Sequence, residues 1–210
     1  MKLYYFAFST PALATLMVAE AIGAPYQKQY IDLRKGEQRD PDYLALNPMG
    51  KVPTMVDDDL VLTESVAIQI YLARKSKTDL YPRDLPDQAV VNRWLNLAVH
   101  EVRTPVLDIE VYRWIAQQLG NPVNEGLVEV AMSRLERSLP VLNSQLTNSN
   151  FLNGSNLTIA DISLISALDP VDTVGIDISD YPALRSQLDW GRKQDWYQAV
   201  NTHFGAEAGL

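Results

Sequence analysis

Two short clusters of hydroxyl and carboxylate residues stand where helices should begin. Ser9-Thr10 precede Pro11, and Glu64-Ser65 follow the strand-like run Leu60-Val61-Leu62. The first amides of a helix have no partner within it and the helix dipole favours negative charge there, so hydroxyls at such positions suit a small carboxylate or another anion. Plain capping of the helix by Glu64 and Ser65 is the simpler alternative. The chain has no cysteine, which excludes disulfides, a Cys-x-x-Cys redox pair and thiolate metal sites. Any sulfur chemistry must therefore use a thiol carried by a ligand. His100 and His203 are the only imidazoles and lie far apart without an HExxH pattern, so they read as ordinary surface or packing residues rather than zinc ligands or triad members.

The net charge of −8 comes with no dense run of Lys and Arg, which disfavours nucleic acid and anionic membranes as partners while leaving room for a local basic pocket. The opening MKLYYFAFST lacks the apolar centre and small-residue cleavage site of a signal peptide. No segment offers about 18 uninterrupted apolar residues, so a cytoplasmic protein is expected.

The elements that position these clusters follow from periodicity. Residues 2–8 are apolar and aromatic on both faces, as in a central strand, and Thr10-Pro11 reads as an N-cap followed by proline at the first helical position. Leu13, Leu16, Met17 and Ile22 recur at near-helical spacing until Gly23-Ala24-Pro25, and residues 26–33 alternate as a second strand. After a polar stretch at 35–42 comes the turn-rich loop Asn47-Pro48-Met49-Gly50-Lys51-Val52-Pro53. A hairpin then forms from Thr54-Met55-Val56 and Leu60-Val61-Leu62, and a helix runs over 65–74. The order βαβ then ββα describes a small α/β sandwich over residues 1–76. A linker rich in proline and charge covers 77–86. Residues 87–210 read as helical, with helices at about 87–119, 125–146, 159–168, 182–189 and 195–204. Thr158-Ile159-Ala160-Asp161 is a capping box, whose role is folding rather than chemistry.

Three pieces, in order, strongly resemble the cytosolic glutathione transferases: Tyr4-Tyr5 through Ser9-Thr10-Pro11, then Asn47 through Pro53, then Glu64-Ser65-Val66-Ala67-Ile68. Thr158 to Asp161 is similar to that family's helical-domain capping motif, so the resemblance spans nearly the whole chain. It implies a thioredoxin-like α/β N-terminal domain and an all-α C-terminal domain. It also implies a detoxifying glutathione S-transferase activity that conjugates the glutathione thiolate to hydrophobic electrophiles. Glutathione is then a co-substrate, with no permanently bound cofactor and no metal, and the protein is a homodimer. The nearest classes are the serine-type, delta- and theta-like enzymes or related bacterial ones.

The resemblance also assigns roles. Val52-Pro53 falls where the family has a cis-proline, and the Val52 main chain would pair with the peptide ligand as an added strand. Glu64 and Ser65 would hold the γ-glutamyl group. Lys51 would reach the glycyl carboxylate, or would simply be solvated. Where serine-type members often carry histidines this chain has Gln38 and Gly50, and Val66 stands where arginine is common, so glycyl recognition falls to Lys51, Gln38 or water. Ser9 is similarly placed to the catalytic serine of the serine-type classes. Thr10 and Tyr5 are alternatives, at the places used by cysteine-type bacterial classes and tyrosine-type classes. Bringing a thiol from pKa ~8.5 to ~7 takes about 2 kcal/mol of selective thiolate stabilisation, within the roughly 1.5–3 kcal/mol of one charge-assisted hydrogen bond. The acceptor would lie between the loop around Phe6 to Phe8 and the helix bearing Val106, Ile109, Tyr112 and Arg113, residues that equally suit a core. A non-catalytic binding or regulatory module of the same fold is the competing reading, opposed by the retention of Ser9, Glu64 and Ser65. A glutathione-dependent reductase would need the cysteine this chain lacks.

Overall fold

The computed structural model describes residues 1–201. The chain forms two compact units, one of Met1–Tyr81 together with the segment from Lys193, the other of Pro82–Arg192. The part of the last expected helix beyond residue 201, and His203, lie outside the described residues.

In the first unit, β1 (Lys2–Tyr5) and β2 (Gln27–Tyr30) are parallel and joined through α1 (Thr10–Ala21). β3 (Thr54–Asp57) runs antiparallel to β1, and β4 (Leu60–Thr63) antiparallel to β3, giving the order β2-β1-β3-β4. α1 packs against α3 (Ser65–Lys75) and α10 (Asp195–Asn201), and every residue from Ala12 to Ala19 is buried. A helix apolar on all sides belongs inside. Its C-terminus closes with Gly23 at φ 62° and the paired bonds Ala24 N–H to Ala19 O (3.0 Å) and Gly23 N–H to Glu20 O (3.0 Å), a Schellman arrangement that glycine makes without steric cost.

Its start differs from the sequence reading by one residue. Ser9, not Thr10, is the N-cap: its backbone is extended (φ −89°, ψ 97°) and its Oγ accepts from the Ala12 amide at 3.4 Å. Thr10 is the first helical residue and is buried. β1 and β2 are also shorter than the sequence pattern suggests. Ser9 N–H bonds Phe6 O at 3.0 Å, turning the chain before residue 8. Asp32 Oδ1 accepts the Arg34 amide at 3.0 Å, a side-chain turn that ends β2 early. The polar stretch at 35–42 holds a short 3₁₀ turn, Glu37–Arg39, and leads into α2 (Pro41–Leu46), whose six residues are too few for periodicity to reveal.

The second unit is all helical. From 85 to 118 the chain coils almost without break through α4 (Leu85–Leu97), a π-helical segment Ala98–Arg103, α5 (Thr104–Ile109), a second π-helical segment Glu110–Ile115, and α6 (Ala116–Gln118). α4 thus begins inside the stretch read as a linker. Pro105 supplies no N–H and its ring crowds the carbonyl four residues back. That carbonyl, Glu101 O, accepts instead from Ser138 Oγ at 2.8 Å, and the neighbouring His100 O from Arg134 at 2.5 Å. Both donors lie on α7 (Glu125–Asn148), so the proline-opened segment is stitched to the next helix. α8 (Ile159–Leu168) is buried throughout and starts at the capping box read from the sequence. Asp161 Oδ2 accepts from the Thr158 amide and hydroxyl, both at 2.8 Å, and Oδ1 from the Leu152 amide at 2.7 Å. α9 (Pro182–Gly191) follows. Among the described residues no helix is long and apolar enough to cross a membrane.

Candidate active site

The strand register brings the sequence motifs to one end of the sheet. Tyr4 lies opposite Thr54, and Thr54 opposite Thr63. Beyond that row the chain leaves β1 toward Ser9, arrives at β3 from Val52-Pro53, and leaves β4 for Glu64-Ser65. β2 ends at the same side, Tyr5 being opposite Tyr30, and leads on to the segment bearing Gln38. Three segments distant in sequence therefore converge because β1 and β3, and then β3 and β4, run in opposite directions.

Of the three candidate hydroxyls, Ser9 is half-buried, whereas Thr10 is 6% and Tyr5 4% exposed. Tyr5 packs edge-on to the Tyr30 ring at 5.6 Å. The Ser9 oxygen accepts from the helix amide, an arrangement in which the hydroxyl proton points away from the helix and is available to an anion. Phe8, also half-buried, stacks at a tilt on Phe6 at 5.6 Å.

Glu64 is exposed and holds φ 67° and ψ 116°, a backbone region that costs a non-glycine residue on the order of 1–3 kcal/mol and tends to occur at ligand clamps. Its side chain makes no capping hydrogen bond to α3, so the capping alternative finds no support at Glu64. Ser65, the first residue of α3, is buried. The Val52–Pro53 peptide is cis. Val52 is buried and Lys51 exposed. Gln38 donates from Nε2 to Leu33 O at 3.3 Å, and its Oε1 is buried without a hydrogen-bond partner. Gly50, at φ 59°, lies so close to the Gln38 carbonyl that a Cβ would sit 3.0 Å from it. Glycine meets both constraints without strain.

On the helical unit, Val106 and Ile109 are buried, and of the four expected acceptor residues only Tyr112 and Arg113 keep accessible surface. Among the described residues no group of three or more His, Cys, Asp or Glu could hold a metal ion.

The sequence reading gives no role to Tyr43 and places Asn47 only in a turn. Both are buried beneath the loop before β3. Asn47 Nδ2 donates to Lys51 O (2.7 Å) and Thr54 Oγ1 (3.2 Å), Asn47 Oδ1 accepts from Met49 N–H (3.1 Å), and the Tyr43 hydroxyl donates to Lys51 O (2.6 Å). Burial pushes the Tyr43 phenol above its ordinary pKa, keeping it a donor. An asparagine opening a proline turn was the one available signal.

A four-stranded βαβ-ββα sheet that gathers a helix-capping serine, a cis-proline loop and a strained Glu-Ser helix start, followed by a helical unit, defines a thioredoxin-like binding domain with an all-α partner. Residues 1–74 match the family model for the glutathione S-transferase N-terminal domain, and residues 105–189 that for the C-terminal domain. A probable glutathione S-transferase GSTF2 of Oryza sativa subsp. japonica is 36% identical over 169 residues, covering 79% of this chain and 78% of that protein. Glutathione S-transferase 2 of Anopheles gambiae is 35% identical over 184 residues, covering 86% and 85%. Glutathione S-transferase I of maize, solved with an atrazine–glutathione conjugate, superposes with a TM-score of 0.85 at 26% identity over 96% of each chain. The chain belongs to the glutathione S-transferase family.

Proposed function

We propose that this enzyme conjugates glutathione to hydrophobic electrophiles, in the manner of the serine-type classes, with Ser9 as the hydroxyl that stabilises the thiolate. The observation that carries the choice of Ser9 is its exposure combined with its bond to the Ala12 amide. Its oxygen is fixed by the helix and its proton is free to be donated, while Thr10 and Tyr5 are buried. The thiol proton leaves to solvent. The sulfur lone pair, held as thiolate by the Ser9 hydroxyl, forms the new C–S bond, and the electrophile either takes a proton after addition or expels its leaving group. The protein supplies orientation and a preorganised donor where charge resides.

In the same proposal the N-terminal domain, 1–76, holds glutathione. Val52 pairs with its main chain, Glu64 and Ser65 take the γ-glutamyl ammonium and carboxylate, and Lys51 and Gln38 face the glycyl end. The strained Glu64 backbone and the absence of a side-chain cap on α3 support a ligand at that helix start. The maize enzyme's conjugate with atrazine supports an apolar electrophile as the second substrate. Homodimeric assembly in the cytoplasm rests on the family resemblance, and light scattering after gel filtration reads the assembly. The catalytic assignment is tested by comparing the unaltered enzyme with Ser9→Ala for glutathione binding and for conjugation. Binding should persist in the variant while conjugation falls; equal conjugation would move the role to Thr10 or Tyr5.

A further inference from the structure

We infer that Tyr43 and Asn47, with Thr54, are positioning residues that aim the Val52 N–H at the peptide ligand; the inference rests on the glutathione reading above. The three side chains form a closed set of hydrogen bonds. Asn47 has two amide protons, given to Lys51 O at 2.7 Å and Thr54 Oγ1 at 3.2 Å. Tyr43 gives its one proton to Lys51 O at 2.6 Å, so at the 3.0 Å contact between the Tyr43 and Thr54 hydroxyls it is Thr54 that donates. Every proton has an acceptor, and both lone pairs of the Lys51 carbonyl are occupied. All three side chains are buried, and the low local dielectric strengthens the bonds they make.

The consequence follows from peptide geometry. Lys51 C=O and Val52 N–H belong to one trans peptide unit and point in opposite directions. Two donors that hold the carbonyl inward therefore turn the amide outward, on the side where the strand register gathers Ser9 and Glu64-Ser65. Thr54 anchors the other flank of Val52-Pro53 through the same two side chains. The loop's aim is set from beneath by residues that never touch the ligand.

The test pairs Asn47→Ala with Tyr43→Phe and reads S-methylglutathione affinity by calorimetry together with steady-state kinetics. The glutathione KM and the S-methylglutathione Kd should rise about 10-fold in Asn47→Ala and about 3-fold in Tyr43→Phe, the range expected for losing hydrogen bonds of ordinary strength. Turnover at saturating glutathione and the KM for the electrophile should stay within about 2-fold, because the aligned fraction then reacts normally. A purely structural role would lower the active fraction, hence apparent turnover, and leave both KM values alone; that result would overturn the inference. If Asn47→Ala fails to fold, Tyr43→Phe decides on the same criteria. Failure of the unaltered protein to bind S-methylglutathione would overturn the glutathione reading and this inference together. Binding by the unaltered protein with unchanged affinity in the folded variants would overturn the inference alone.

Discussion

Glu64 combines a strained backbone with a side chain that does not cap the helix it precedes. An exposed glutamate held at φ 67° gains nothing from capping, since its side chain makes no bond to the helix it precedes. A helix N-terminus attracts a carboxylate, which in the proposed reading is that of the γ-glutamyl group at Glu64 and Ser65. Ser65→Ala should then weaken glutathione binding by roughly 1.5–3 kcal/mol, the worth of a hydrogen bond to a charged group. Calorimetry reads this directly, and unchanged affinity would remove Ser65 from the site. The candidate residues stood out in the sequence because their types are unusual where they stand: two hydroxyl-bearing pairs at helix starts and a Val-Pro loop. Tyr43 and Asn47 did not, because their role depends on which carbonyl lies above them, and that contact is set by the path of the loop rather than by the spacing of the residues.

At the scale of elements, strands and helices were placed well and their ends less so. Residues 6–8 and 31–33 are as apolar or as alternating as the strands they follow, and local bonds end those strands: Ser9 N–H to Phe6 O and the Asp32 turn. The single long helix read over 87–119 contains two π-helical segments. Pro105 was the visible cue for the first, but its remedy, Ser138 and Arg134 on α7, is a tertiary contact. The capping box of α8 was fully legible, since a Thr-x-x-Asp start is local. Its carboxylate also receives the Leu152 amide, which the motif does not announce. Asp161→Ala should therefore cost more than a cap alone, on the order of 3 kcal/mol, because it also orphans buried amides. Chemical denaturation would show it, and a loss below about 1 kcal/mol would reduce Asp161 to an ordinary cap.

For the whole molecule, Glu110 makes stability depend on pH. It is buried in the helical unit, Oε2 has no hydrogen-bond partner, and burial pushes its carboxyl from 4.5 up to about 7. The folded state thus binds a proton more tightly than the unfolded chain, so stability falls as pH rises from about 4.5 to about 7 and the full penalty remains above that. Glu110→Gln should stabilise the fold by on the order of 2–3 kcal/mol at pH ~8 and by far less at pH ~5. Equal gains at the two pH values in urea titrations would show that ionisation is not the cause. The central claim, that a hydroxyl at the head of α1 activates a thiol the chain itself lacks, is tested most directly by turnover. The measurement is conjugation of glutathione to a chloronitrobenzene and to isothiocyanates by the unaltered enzyme and Ser9→Ala side by side. The account predicts turnover by the former and a fall of about 15-fold at neutral pH in the latter, the loss of thiolate when a thiol pKa of ~7 returns to ~8.5, with partial recovery at higher pH as the thiol ionises unaided. Equal turnover by the two, or none by an unaltered protein that binds glutathione, would contradict it.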